Sequence, residues 1–260
     1  MENAVETKTK DAAKPETLTT LVRYFEVAEE MTVNSRATSE KCRDYYDNKQ
    51  YTAQERKTLE ARKQPPLVWN RIKRKVNFLT GHEVQQRSDP KALPRNVPFD
   101  QSAADAATDA LRYVQDEQTL PEKFSDSFED GIIEGMGGIE ILYDPKSNCP
   151  DVKYVEWDRL FYDPFSSRPD FSDARYKGIV VWMDEEQAKM AYPDKAESIA
   201  LAVEQEASAA LSKTYDDKPA FTKWVSLGER KRVRICQIYY MEGGKWHWAH
   251  FTKSGILKGG

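Results

Sequence analysis

Between Thr17 and Asp47, the residues Leu18, Leu21, Val22, Phe25, Ala28 and Met31 recur at spacings of three and four, which predicts a helix with one buried stripe. A turn follows at Asn48. Thr52-Ala53-Gln54-Glu55 fits a capping box, in which the threonine hydroxyl and the glutamate carboxylate satisfy first-turn amides of a second, short helix. Pro65-Pro66 cannot continue that helix, so it stops by Gln64. Asn70 is suited to cap a third, with Ile72, Val76 and Leu79 repeating helically and Arg71, Lys73, Arg74 and Lys75 on the other faces. Gly81 is placed to end or bend it. Pro90, Pro94 and Pro98 predict an extended stretch, after which Asp100 caps a helix through Ala103, Ala106, Ala107, Leu111 and Val114. A further helix is expected from Glu122 to Glu134.

The period changes at Gly135-Met136-Gly137-Gly138, where glycine density breaks the helix and a β-rich portion begins. Ile139 to Tyr143, Val152 to Trp157 and Tyr176 to Trp182 have the β-branched and aromatic character of strands. Asp184 caps a short helix ending near Tyr192-Pro193, and an alanine-rich amphipathic helix runs from Lys195 to Lys213. Arg232 to Met241 and Lys245 to Thr252 flank Glu242-Gly243-Gly244 as a hairpin. Ser254 to Gly260 reads as a strand begun after that hairpin with no helix to close the sheet, which points to an unfinished domain.

Composition makes this a wet protein. The chain has 260 residues, enough for one large or two small domains, yet only 39% are hydrophobic and 32% are charged. Extended helices and polar interfaces follow. The net charge of -4 disfavours a protein that grips nucleic acid, because such affinity comes from lysine and arginine neutralising phosphates. It leaves room for one that DNA slides past. Cys42, Cys149 and Cys236 are odd in number and widely spaced, which suggests neither a disulfide framework nor a zinc knuckle and fits a reducing, cytosolic setting. The polar start up to Pro15 has no apolar signal run, and no stretch of eighteen apolar residues spans a membrane.

Catalytic patterns are incomplete. No G-x-x-x-x-G-K-[ST] phosphate loop occurs, and Gly135 to Gly138 ends a helix where an anion site would open one, so these glycines read as a turn. Glu134, Asp151 and Glu156 lie on a helix followed by strands, roughly as magnesium-dependent nucleases array carboxylates. The lysine such sites need is missing, since Glu156-Trp157-Asp158 stands where Glu-x-Lys would. Solvated carboxylates are the plainer reading. Asp158, Asp163, Asp170 and Asp173 share a loop with Pro164 and Pro169 but lack calcium-loop spacing, which favours turn-forming aspartates. His247 and His250 are three apart on one strand and should face opposite ways, and His82 is alone. The basic run Arg71 to Lys75, with Arg87 and Arg95, is a solvated helix face, an intersubunit salt-bridge surface or a nucleic-acid contact.

Gln64-Pro65-Pro66-Leu67-Val68-Trp69-Asn70-Arg71-Ile72 closely resembles the Q-P-P-hydrophobic-N-R-I segment of podovirus-type (short-tailed phage) portal proteins. Gly81-His82-Glu83 with Arg87 and Pro94 looks like that family's G-x-E…R stretch, and Phe128 to Ile141 like its helix leading into G-x-G. Asp163-Pro164 is similar to its D-P loop, and Asp170-Phe171-Ser172-Asp173-Ala174-Arg175 to its D-x-S-D-A-R motif. These motifs keep their order from about Tyr24 to Leu257.

The resemblance implies an α+β wing region: a helical N-terminal half packed on a mixed β-rich portion. The expected division is a disordered tail at 1–16, a helical part at 17–134 and a β-rich part at 135–260, incomplete because family members continue into channel helices, a clip and often a barrel. By the same resemblance the chain is expected to be a truncated piece, whether from a shortened gene, a prophage remnant or a deliberate fragment, of a non-enzymatic head-to-tail connector, with no catalytic residue, cofactor or metal. It implies a ring of twelve at one capsid vertex, assembled in the host cytoplasm, through which double-stranded DNA is packaged and ejected without sequence-specific binding. Partners implied are the terminase large subunit, capsid or scaffolding proteins and tail adaptors, with no membrane. The alternatives are a magnesium-dependent nuclease or other DNA-processing enzyme, and an adaptor whose helices at 17–134 grip a partner protein.

Overall fold

A computed structural model describes residues 15–94, 101–145, 148–212, 225–227 and 231–260. The expected disordered tail up to residue 14, Arg95 of the basic patch, the Asp100 cap and the helix end at Lys213 lie outside the described residues. Helices α1 (Pro15–Tyr46), α2 (Ala53–Ala61), α3 (Arg71–Gln85), α4 (Gln101–Glu117) and α5 (Leu120–Ile133) come first. Strands β1 (Gly138–Asp144), β2 (Cys149–Val155), β3 (Leu160–Tyr162) and β4 (Tyr176–Asp184) follow, then α6 (Glu185–Ala191) and α7 (Ala196–Ser212). The order closes with β5 (Val225–Leu227), β6 (Lys231–Glu242), β7 (Lys245–Thr252) and β8 (Gly255–Gly259). The fold is α+β, helical in its N-terminal half and β-rich after it.

The chain divides into two compact units, one from the described part of Met1–Thr32 with Arg159–Gly260, the other Val33–Asp158. In the first, an antiparallel sheet of order β3-β4-β6-β7-β8, with β5 also paired to β6, buries Phe161, Val180, Ile235, Ile238 and Phe251 together with Leu21, Phe25 and Ala28 of α1. Val233 to Cys236 are all buried in succession, because β6 is an interior strand covered on both faces. That continuity includes Arg234, whose guanidinium sits 5.3 Å from the Phe25 ring and 5.0 Å from Trp182, with Glu29 at 3.2 Å. Gly178 on β4 admits no side chain: a Cβ there would lie 2.3 Å from the Gln237 carbonyl and 2.4 Å from Phe161. The expected β6–β7 hairpin is present, and Gly243 and Gly244 both take positive φ (57° and 77°), the requirement of a tight hairpin turn.

In the second unit the later half of α1 joins α2 to α5 and the β1–β2 hairpin, and α5 packs on α3, α4 and both strands. Tyr46, Val76 and Ile133 form its small apolar core, with Ile132 against them. The capping box at Thr52 and the Asn70 cap form as the spacing predicts.

Several details depart from expectation. Met31 is exposed, and the α1 stripe passes from Ala28 to Thr32, whose hydroxyl donates to the Ala28 carbonyl at 2.6 Å and so tolerates burial. Helix α3 continues past Gly81 to Gln85 and buries only Val76, leaving Ile72 and Leu79 exposed. Helix α4 buries Ala104 and Thr108, not Ala103, Ala106, Ala107 and Leu111, because Thr108 Oγ1 accepts from the Ala92 amide at 3.1 Å and turns that side inward. Strand β2 stops at Val155 and Trp157 lies in a 3-10 turn, since its partner strand ends at Gly138. Three-residue strands β3 and β5 are too short to leave a period in the sequence.

Candidate functional site

Among the described residues no three His, Cys, Asp or Glu side chains are placed to hold a metal ion. Two of the three carboxylates considered for magnesium, Glu134 and Asp151, are engaged elsewhere. Glu134 ends α5 with its side chain fully enclosed, and the Arg43 guanidinium of α1 binds it through two nitrogens, Nε and Nη2. Arg43 also reaches Asp130 Oδ1 at 2.8 Å and Glu129 Oε1 at 3.4 Å. Burial opposes the Arg43 charge, but the hydrogen bond and charge of Glu134, backed by Asp130 and Glu129, hold the guanidinium above its ordinary pKa. Asp130 accepts in addition from the Tyr154 hydroxyl and, at 3.3 Å, from the Trp157 amide. Asp151 pairs with Lys153 at 2.8 Å. The Arg43, Asp130, Glu134 and Tyr154 bonds tie α1, α5 and β2 together.

The aspartate loop is likewise internal scaffolding. Asp163 Oδ1 and Oδ2 accept from the amides of Phe165 (3.1 Å) and Arg175 (3.2 Å). Asp173 accepts from Ser166 Oγ at 2.6 Å and from the Ser167 amide and hydroxyl at 2.9 Å, bonds that hold its carboxyl well below the usual range. Asp170 caps the Ser172 amide at 3.2 Å, and the Asp158 carbonyl accepts from Arg36 at 2.8 Å. The turn-forming reading therefore holds for Asp163, Asp170 and Asp173, while Asp158 contributes its backbone carbonyl. Gly135 takes φ 89° to end α5, and a Cβ on Gly137 would lie 2.0 Å from the Ser127 carbonyl, which accounts for that glycine cluster as a turn.

The histidines do not converge. His250 Nδ1 shares a 2.8 Å hydrogen bond with the Tyr192 hydroxyl, while His247 stacks on Tyr240 and His82 on Phe78. Burial, with some repulsion from Lys258, pulls the His250 pKa down to about 4. The cysteines are free: Cys42 exposed, Cys149 half-buried and Cys236 buried. No described helix is long and apolar enough to cross a membrane.

What remains is a surface. Asn70 is bolted in place: its Nδ2 donates to the carbonyls of Tyr45 and Tyr46 (2.9 Å each) and to Asn48 Oδ1 (2.7 Å), and its Oδ1 accepts from the Lys73 amide at 3.0 Å. The Tyr51 hydroxyl holds the Leu67 carbonyl at 3.2 Å. On this fixed backbone Leu67 and Trp69 project with 79% and 88% exposure, and Phe78 on α3 with 72%. Arg71, Arg74 and Lys75 are exposed beside them, whereas Arg87 is turned aside by Glu83 (3.1 Å) and Ser125. Sequence reasoning found the basic run and the motif but missed Trp69 and Phe78. Their signal was present, as large apolar residues outside the Ile72-Val76-Leu79 stripe.

A family model described as that of phage P22-like portal proteins matches residues 22–245. No curated protein matches the chain.

Proposed function

Because the chain belongs to the phage P22-like portal protein family, we propose that its copies close into a ring of twelve at one capsid vertex, through which double-stranded DNA enters and leaves. The role in genome packaging is structural, not catalytic. Residues 17–134 and 135–260 are read as the helical and β-rich parts of the portal wing. Assembly takes place in the host cytoplasm, and the partners are the terminase large subunit, capsid or scaffolding proteins and tail adaptors, none of them a membrane. DNA passes without sequence-specific contacts, in keeping with a net charge of -4, which avoids the dense phosphate neutralisation that would stall sliding.

The observation carrying this reading is the family match across residues 22–245, a span that includes the ordered motifs from Gln64 to Arg175. Native mass measurement with electron microscopy tests it: closed rings are expected, and a protein that stays monomeric at every concentration counts against it. Incubation with duplex DNA and Mg²⁺ tests the nuclease alternative. No cleavage is expected, and cleavage that disappears on Asp151→Ala overturns the structural role.

A further inference from the structure

Helices α3 and α4 are short of partners within their own chain. The first has 15 residues and buries only Val76; the second has 17 and buries Ala104 and Thr108. Helices of this length are marginal in water unless an apolar face is packed. On α4, Ala103, Ala106, Ala107 and Leu111 of the stripe that the sequence marks for burial are exposed and Val114 is half-buried, and the helical period sets Ala106, Ala110 and Tyr113 on the side that carries Asp105 and Asp109. On α3 the side opposite Val76 presents Phe78, with Trp69 just ahead of the helix. Apolar side chains left exposed on a packed helix in this way are suited to a docking face.

The two faces differ in a way that identifies the occupant. Helix α3 carries Arg71, Lys73, Arg74 and Lys75 against a single acidic residue, Glu83. Helix α4 carries Asp105, Asp109, Asp116 and Glu117 against a single basic one, Arg112. Arg71 and Lys75 are one helical turn apart, as are Asp105 and Asp109, so the two charge pairs can meet in register. The side chains differ in size as well: Trp69 and Phe78 are bulky and exposed at α3, and small Ala106 and Ala110 lie beside Asp105 and Asp109 on α4. A nucleic acid would answer the basic face and leave the acidic alanine face uncovered. A second copy of this chain answers both.

We propose that the Trp69–α3 face of one copy docks on the α4 face of the next copy, with Arg71 and Lys75 opposite Asp105 and Asp109. The pairing rests on the ring reading above and deepens it. A closed ring requires two different surfaces on each copy, and these are two different surfaces.

The test uses the full 260-residue chain in sedimentation velocity over a range of concentrations, with circular dichroism to check folding. One variant carries Arg71→Glu and Lys75→Glu, the other Asp105→Lys and Asp109→Lys. All four positions are exposed, and an acidic residue at position 71, in the first turn of α3, favours the helix. Each variant is expected to raise the concentration for half-assembly by about tenfold or more, because like charges then face each other. Mixing the two variants is expected to restore assembly, since each then supplies the complement the other lacks. An assembling wild type that neither variant disturbs, or a mixture that fails to recover, overturns the pairing and leaves the ring standing. A wild type monomeric throughout removes both. Loss of duplex-DNA retention by the α3 variant with assembly intact overturns the pairing and assigns the basic face to nucleic acid.

Discussion

Arg43 binds three carboxylates at once, and two of them, Asp130 and Glu134, have almost no exposed side-chain surface. Removing one partner of a buried ion pair leaves an uncompensated charge, so Arg43→Met is expected to destabilise the fold by about 3–5 kcal/mol in urea unfolding. Arg43→Lys should recover only part of that, because an ammonium cannot reproduce a planar fork bonded to two carboxylates. His250 gives the residue scale a pH dependence. Its pKa falls from 6.5 to about 4 on folding, so the folded state binds fewer protons than the unfolded one. Its contribution is therefore complete above pH 6.5 and is lost as pH falls through 4, a change of about 1–2 kcal/mol once partial exposure is allowed for. Comparing unfolding curves of the wild type and His250→Gln across that window should show the acid-side slope reduced in the variant.

Caps and close approaches decide the elements. Asparagine and aspartate are usually interchangeable at an N-cap. At position 70 they should not be, because Nδ2 donates to three oxygens that a carboxylate would repel. Thermal unfolding should place Asn70→Asp at or below Asn70→Ala, although the aspartate keeps the acceptor for the Lys73 amide. Gly178 sets a similar constraint in the sheet. Gly178→Ala pushes its methyl into the Gln237 carbonyl and the Phe161 ring, and should cost about 1–3 kcal/mol by denaturant titration. Gly178 is no part of the proposed docking faces, so its variant should assemble normally where it remains folded, whereas Asn70 anchors the backbone between Trp69 and Arg71 and its variants should weaken assembly as well.

For the whole molecule, association through oppositely charged helix faces should weaken with ionic strength, since exposed charges are screened within about 10 Å at 0.1 M salt. Sedimentation from low to high salt should show the concentration for half-assembly rising; no dependence at all would remove the charge pairing as its driving force. Whatever depends on neighbours along the chain was legible in the residues: the Leu21-Phe25-Ala28 stripe, the capping box at Thr52, the Asn70 cap, the turn at Gly135 and the Gly243-Gly244 hairpin. The sequence also carried the family motifs from Gln64 to Arg175, which are local strings. Tertiary structure was needed to bring Glu134 against Arg43, 91 residues away. It alone placed the two halves of α1 in separate compact units and left the alanine stripe of α4 in solvent. The reason is that helical and strand periods report which side chains share a face, while burial of that face depends on a partner brought up from elsewhere in the chain, or from another molecule.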